Sequence, residues 1–173
     1  MYVLRVFVLS IVSCVLTMTT RRVRTLINTI DTTCVYTQKS IVLFDCEHII
    51  PRSFIRDKRI ENDMHLVYKC TPSLNRSRGN KKFDDITTPN TYGITNTVTK
   101  GIVSRTCLYF MYTYHTQYTR SDFYERVIDR FLLEKWYDMY GCRVREEDIL
   151  RNRFVVQHQG VSNVFVENNN VSV

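Results

Sequence analysis

Glu47 and His48 stand side by side in Asp45-Cys-Glu-His-Ile-Ile-Pro51, directly after the apolar run Ile41-Val-Leu-Phe44. An imidazole of ordinary pKa, about 6.5, is substantially neutral at pH 7 and can take a proton from water. A carboxylate supplies oxygen suited to a hard cation such as Mg²⁺ or Ca²⁺. Neighbouring side chains on a regular strand point to opposite faces. The pair therefore reads in two ways: one group buried and one solvated, or a strand that ends here and turns both toward one site. Pro51 favours the ending. Further along the chain Asn75 offers another oxygen donor, and Arg78, three residues later, shares its helix face. Glu61, Asp63 and His65 lie between, and Arg105 follows.

These side chains can meet only if particular elements carry them. The pattern predicts a first strand through the apolar run 41–44 to the Glu47-His48 pair, and a charged loop over 52–63. A second short strand follows, from the alternation in Asp63-Met-His-Leu-Val-Tyr68. Thr71 and Pro72 fit the cap and first position of a helix that Gly79 stops. The order is strand, loop, strand, short helix. Residues 84–99, rich in Thr, Asn, Pro and Gly, read as a loop. Val103, Cys107, Phe110, Met111 and Tyr114 recur at helical spacing. A capping box at Thr119 to Asp122 opens a second helix running through Phe123 and Phe131 to Trp136 and ending near Gly141. Glu146 to Arg153 reads as a last short helix, and the tail from Val164 as a short strand. The aromatics on these later helices read as core, not as a platform for stacked bases.

At 173 residues the chain is one domain with room for a real core. Its 24 Lys and Arg against 17 Asp and Glu leave a net charge of +7. Nine of those cations fall between Arg52 and Lys82, beside the candidate site. Such a cluster is either a solvated basic loop or the footprint of a polyanion, most simply nucleic acid. Residues 1–19 carry an early Arg5, an apolar stretch over 6–16 and a short polar exit, the pattern of a secretory signal. An uncleaved anchor, for which the apolar run is short as a membrane span, and a native first strand or helix are the alternatives. Six cysteines are present, at 14, 34, 46, 70, 107 and 142. Removal of the signal leaves an odd number, which fits secretion only awkwardly. No CxxC occurs, and Cys46, His48, His65 and Cys70 match no common zinc spacing. A disulfide between Cys46 and Cys70, which flank the expected hairpin, is a further possibility.

Taken together, the ordered pieces resemble the endonuclease I family, a branch of the ββα-metal, or His-Me finger, nucleases. They are Glu47-His48-x-x-Pro51, Glu61-x-Asp63-Met64-His65, Asn75-x-x-Arg78-x-Asn80, Lys100-Gly101-x-x-x-Arg105 and Trp136-Tyr-Asp-Met-Tyr140. Arg151-Asn152 and Gln159-Gly160-x-x-Asn163-x-Phe165 complete the set. Each piece alone is weak; the ordered series over residues 45–166 is specific. Leu66 replaces a usual Asn, Lys69 a common Pro and Val164 a usual Pro, and the loop between His48 and Glu61 is short.

The resemblance implies an α+β fold, with a hairpin and short helix as the His-Me finger core and longer C-terminal helices packed behind. Residues 20–173 would form this single nuclease domain. It implies a metal-dependent, largely sequence-nonspecific endonuclease acting on DNA, with RNA as a further substrate, that leaves a 5′-phosphate. His48 would be the general base, and Glu47 and Asn75 the ligands of Mg²⁺, with Mn²⁺ or Ca²⁺ as substitutes. Glu61 would orient metal-bound water. Arg78 and Arg105 would either contact phosphate or brace the fold through a carboxylate. His65 reads as a fold-holding residue. A monomer, exported to a periplasmic or extracellular space without stable membrane association, is expected. The rival is a basic nucleic-acid-binding protein that keeps the fold without turnover.

Overall fold

In the computed structural model, residues 18–167 are described; the expected signal therefore lies outside them, apart from Met18 and Thr19. Thr19 caps helix α1 (Thr20–Ile30), its hydroxyl accepting from Arg22 N. Sequence patterning gives no expectation of this helix, because only Val23 and Ile27 on it are buried. Asn62 donates to the Met18 carbonyl, so Met18 packs as part of the domain.

Strand β1 (Asp45–His48) pairs antiparallel with β2 (Val67–Cys70), Glu47 facing Tyr68 and His48 facing Val67. The expected strand over 41–44 does not form. Val42 and Leu43 project into solvent, at 89% and 83% exposure, so the run has no core to alternate against. The second strand is likewise shorter than the alternation suggests. Asp63 caps a 3₁₀ turn over Met64–Leu66 by accepting from His65 N, and pairing starts only at Val67. Helix α2 (Pro72–Arg78) begins at Pro72 and stops at Gly79, whose φ of 52° suits glycine. Thr71 occupies the cap position, but its side chain makes no capping bond.

Behind this unit the expected loop contains two short parallel strands, β3 (Lys82–Asp84) and β4 (Thr91–Gly93). Helix α3 (Thr97–Thr113) then runs through the core, capped by Asn96. The second long helix is broken in two: α4 (Arg120–Arg126) and α5 (Arg130–Trp136), followed by a π turn over Tyr137–Gly141. Asp129 causes the break, taking the N-terminal amides of Phe131 and Leu132 and starting a new helix. Helix α6 (Glu146–Gln159) is longer than expected, and residues Val164–Glu167 form a helical turn, α7, in place of a strand. A close approach explains Gly101 on α3, where a Cβ would lie 2.9 Å from the Tyr140 carbonyl.

A buried polar hub fastens the helices to the hairpin. Asp63 accepts from the hydroxyls of Tyr109 and Tyr114 at 2.8 Å each and from Gln159 Nε2 at 2.6 Å. Arg151 donates to Asp31 and to the carbonyls of Met64 and Val67. His65 is buried against the Val161 carbonyl, Nε2 to O 2.9 Å, the fold-holding position expected for it. Leaving any one of these groups unpaired in a dry interior costs about 1–3 kcal/mol. The hub therefore holds the hairpin in one register.

Candidate active site

The hairpin and α2 bring Glu47, His48 and Arg78 together. Glu47 is 1% exposed. Its Oε1 accepts from the Tyr36 hydroxyl at 2.7 Å and from Arg78 NH1 at 3.1 Å. Its Oε2 accepts no hydrogen bond from the described residues. Arg78 Nε is the one fully buried side-chain polar atom lacking a partner among them. One oxygen is thus anchored and the other left open. Burial pushes the Glu47 carboxyl above its usual range, and the Arg78 charge and Tyr36 bond only partly offset that.

His48 lies at the end of β1, where its Nε2 is 3.1 Å from the Glu61 main-chain oxygen. A carbonyl only accepts, so Nε2 carries the proton and Nδ1 the lone pair. Burial, reinforced by the Arg52 charge, holds the imidazole below its ordinary value against the pull of Glu61. His48 is therefore neutral at pH 7, the state a base requires. Glu61 contributes this carbonyl, while its carboxylate pairs with Arg52 at 2.8 Å.

Glu47 and His48 both lie within the paired strand and so point to its opposite faces, Glu47 buried and His48 half-buried. Pairing ends at His48, and Arg78 then takes the carbonyls of His48 (2.9 Å) and Ile49 (2.7 Å). The guanidinium thus fixes the point at which the backbone turns away. It is 1% exposed and its guanidinium carbon lies over the Phe83 ring, 4.5 Å from the centroid. Of the two roles open to Arg78 in the sequence, this geometry suits bracing and leaves no free face for phosphate. Arg105 behaves similarly: it is 4% exposed, joined to Asp148 at 2.8 Å and to the Gly141 carbonyl at 3.0 Å. It belongs to the α3–α6 packing and makes no contact with Glu47 or His48.

Asn75 sits one turn before Arg78 on α2 and so shares the face that meets β1. Its side chain is half-buried and makes no hydrogen bond with the described residues. An amide without a protein partner and an open carboxylate oxygen, offered from facing elements, fit a hard cation completed by water and substrate oxygens. No group of three His, Cys, Asp or Glu among the described residues is arranged to hold a metal ion. The zinc arrangement is not assembled. Cys46 pairs with Lys69 and Asp45 with Cys70, so Cys46 and Cys70 point to opposite faces of the hairpin. The same parity removes the expected Cys46–Cys70 disulfide.

Tyr36 escapes sequence reasoning altogether, since Tyr36-Thr-Gln carries no motif and the residue reaches Glu47 only through tertiary packing. A cleft of about 410 Å³ lies by the C-terminal end of α2, with Asn80, Lys82 and Arg126 on its walls. A second, of about 340 Å³, lies against Asp31, Arg145 and Arg151, where the arginines already have acidic partners.

A hairpin and short helix carrying a histidine and oxygen-bearing side chains, backed by helices, is an α+β arrangement of the His-Me finger nuclease kind. The sequence profile of endonuclease I matches residues 9–170, and the chain belongs to that family of nucleases. No individual curated protein matches it.

Proposed function

We propose that the protein is a divalent-metal-dependent endonuclease that cleaves DNA, and RNA as a second substrate, with little sequence preference. The observation that carries this reading is the pair at the end of β1: a histidine held neutral beside a carboxylate with one oxygen tied and one free. His48 accepts a proton at Nδ1 from the water that attacks phosphorus, while the Glu61 carbonyl holds the ring through Nε2. Glu47 Oε2 and the Asn75 side-chain oxygen would hold the cation, Mg²⁺ by preference with Mn²⁺ or Ca²⁺ as substitutes. When bound, the cation supplies charge neutralisation at the scissile phosphate and at the departing 3′ oxygen. The products carry a 5′-phosphate. Arg78 and Tyr36 position Glu47, and Arg105 holds α3 to α6.

Exposed cations position the polymer through its phosphates. We assign this role to the exposed Arg52 and Arg126 and to the half-buried Lys82, the last two on the walls of the neighbouring cleft. Such contacts carry no base information and weaken with salt. The protein would act as a monomer after export, with no stable membrane association. No helix among the described residues is long and apolar enough to cross a membrane.

The test is conversion of supercoiled plasmid to nicked and linear forms with Mg²⁺, Mn²⁺ or Ca²⁺, with and without EDTA. Wild type should nick and EDTA should stop it. His48→Ala should lose at least about 100-fold, the scale of a general base, while keeping its melting temperature. Binding of DNA without nicking under every cation would refute the enzyme and leave a nucleic-acid-binding protein on this fold.

A further inference from the structure

Cys34 and Cys70 bring their sulfurs to 3.9 Å in an interior where neither residue is exposed. Their main chains are already joined on either side: Val35 N donates to the Lys69 carbonyl at 2.9 Å, and Thr71 N donates to Cys34 Sγ at 3.4 Å. Cys34 opens a tight turn, its carbonyl accepting from Gln38 N and its amide donating to Lys39 O. Two residues on, Tyr36 reaches Glu47. Cys70 closes β2 immediately before the helix that carries Asn75. Among the described residues no other two cysteines share a hydrogen bond. Cys107 is buried in α3, Cys46 half-buried on β1, and Cys142 exposed.

We propose that Cys34 and Cys70 are a modification site: a thiol pair that closes to a cystine by exchange with a low-molecular-weight disulfide, clamping the Tyr36 turn to the β2–α2 junction. The shared hydrogen bond with Cys70 holds the Cys34 thiol well below its ordinary value, against burial and with help from Thr71, whereas Cys70 is pushed up. Cys34 is therefore the thiolate that attacks first, once the surface turn over 37–40 opens. It breaks the S–S bond of the small disulfide, forms a mixed disulfide and expels one thiolate. Cys70 then gives up its proton and attacks the Cys34 sulfur, expelling the second. Two protein thiols are oxidised by two electrons, one small disulfide is reduced to two thiols, and the two protons end on those thiols. A cystine needs the sulfurs at about 2.05 Å, a closure that rotation of the two side chains can supply because the backbones are already in place.

The clamp does not depend on the nuclease reading, and its test needs no activity. Full-length protein equilibrated with oxidised glutathione is unfolded, alkylated, digested with trypsin without reduction and mapped by mass spectrometry. The expected product joins the peptide of residues 25–39 to that of residues 70–76 through Cys34 and Cys70, with Cys14, Cys46, Cys107 and Cys142 alkylated. The oxidised form should melt about 5–10 °C above the reduced form, from the usual effect of such a loop closure in a domain of this size. Cys70→Ser should lose both the link and the redox-dependent rise. Alkylation of both Cys34 and Cys70 in the oxidised sample, or linkage of either to a different cysteine, overturns the proposal. The wild-type map decides this even if the variant does not fold.

Discussion

Replacing Arg78 with methionine separates the two roles that the sequence leaves open for it. Methionine keeps most of the apolar stem over Phe83 and removes the charge and the donors. Three acceptors lose a donor: Glu47 Oε1, which keeps only the Tyr36 hydroxyl, and the carbonyls of His48 and Ile49. Both side chains of the ion pair are at most 2% exposed, so water cannot replace the guanidinium without opening the site. Removing one partner of such a pair costs about 3–5 kcal/mol, and each stranded carbonyl adds at least about 1 kcal/mol. Protonation of Glu47, already favoured by burial, caps the total, and we expect about 4 kcal/mol. Trp136 is the single tryptophan and is fully buried, so its fluorescence reports urea unfolding directly. With a urea slope of about 2 kcal/mol per molar, the midpoint should fall by about 2 M. Glu47→Gln removes the buried charge that needs the cation, so the double variant should be less destabilised than the sum of the singles by about 2–3 kcal/mol. All measurements are made in EDTA, which keeps metal binding out of the cycle. A loss below about 1 kcal/mol with cleavage abolished would refute the bracing role and return Arg78 to the phosphate.

Asn75→Ala should leave stability unchanged or slightly raised, because the amide has no hydrogen bond to the described residues to lose and alanine favours helix. The Mg²⁺ needed for half-maximal cleavage should rise at least about tenfold, and an unchanged metal requirement would remove Asn75 from the site. Arg105→Met should cost about 2 kcal/mol, since Arg145 still pairs with Asp148. Burial alone would raise the Asp148 carboxyl, but the Arg145 hydrogen bond and the Arg105 and Arg145 charges together hold it below its ordinary value. Its contribution is therefore complete above about pH 4 and disappears as pH falls through the folded value. In Arg105→Met the acid-unfolding midpoint, followed by Trp136 fluorescence, should move to higher pH; an unmoved midpoint would count against the pair.

The unit that carries the site is legible because its signals are local. Pro51 ends a strand, Pro72 and Gly79 bracket a helix, and Asn75 and Arg78 are one turn apart on it. Element lengths outside it are less legible. The helix expected through Phe123 to Trp136 has a continuous apolar spacing, yet the Asp129 side chain takes the amides and starts a new helix there. The exposed Val42 and Leu43 imitate a strand whose burial never occurs.

By itself the sequence determined the residue types that could do chemistry, their order along the chain and the short helix that offers Asn75, all of which follow from steric and capping rules acting over a few residues. Only the tertiary structure decided how those groups are used. It turned Arg78 and Arg105 inward, brought Tyr36 onto Glu47 and freed Oε2, made the Glu61 carbonyl rather than its carboxylate the partner of His48, and paired Cys70 with Cys34 instead of Cys46. Each of these depends on burial and on partners distant in sequence. A buried charge or donor takes whatever counterpart the packing supplies, and no local pattern specifies which one that will be.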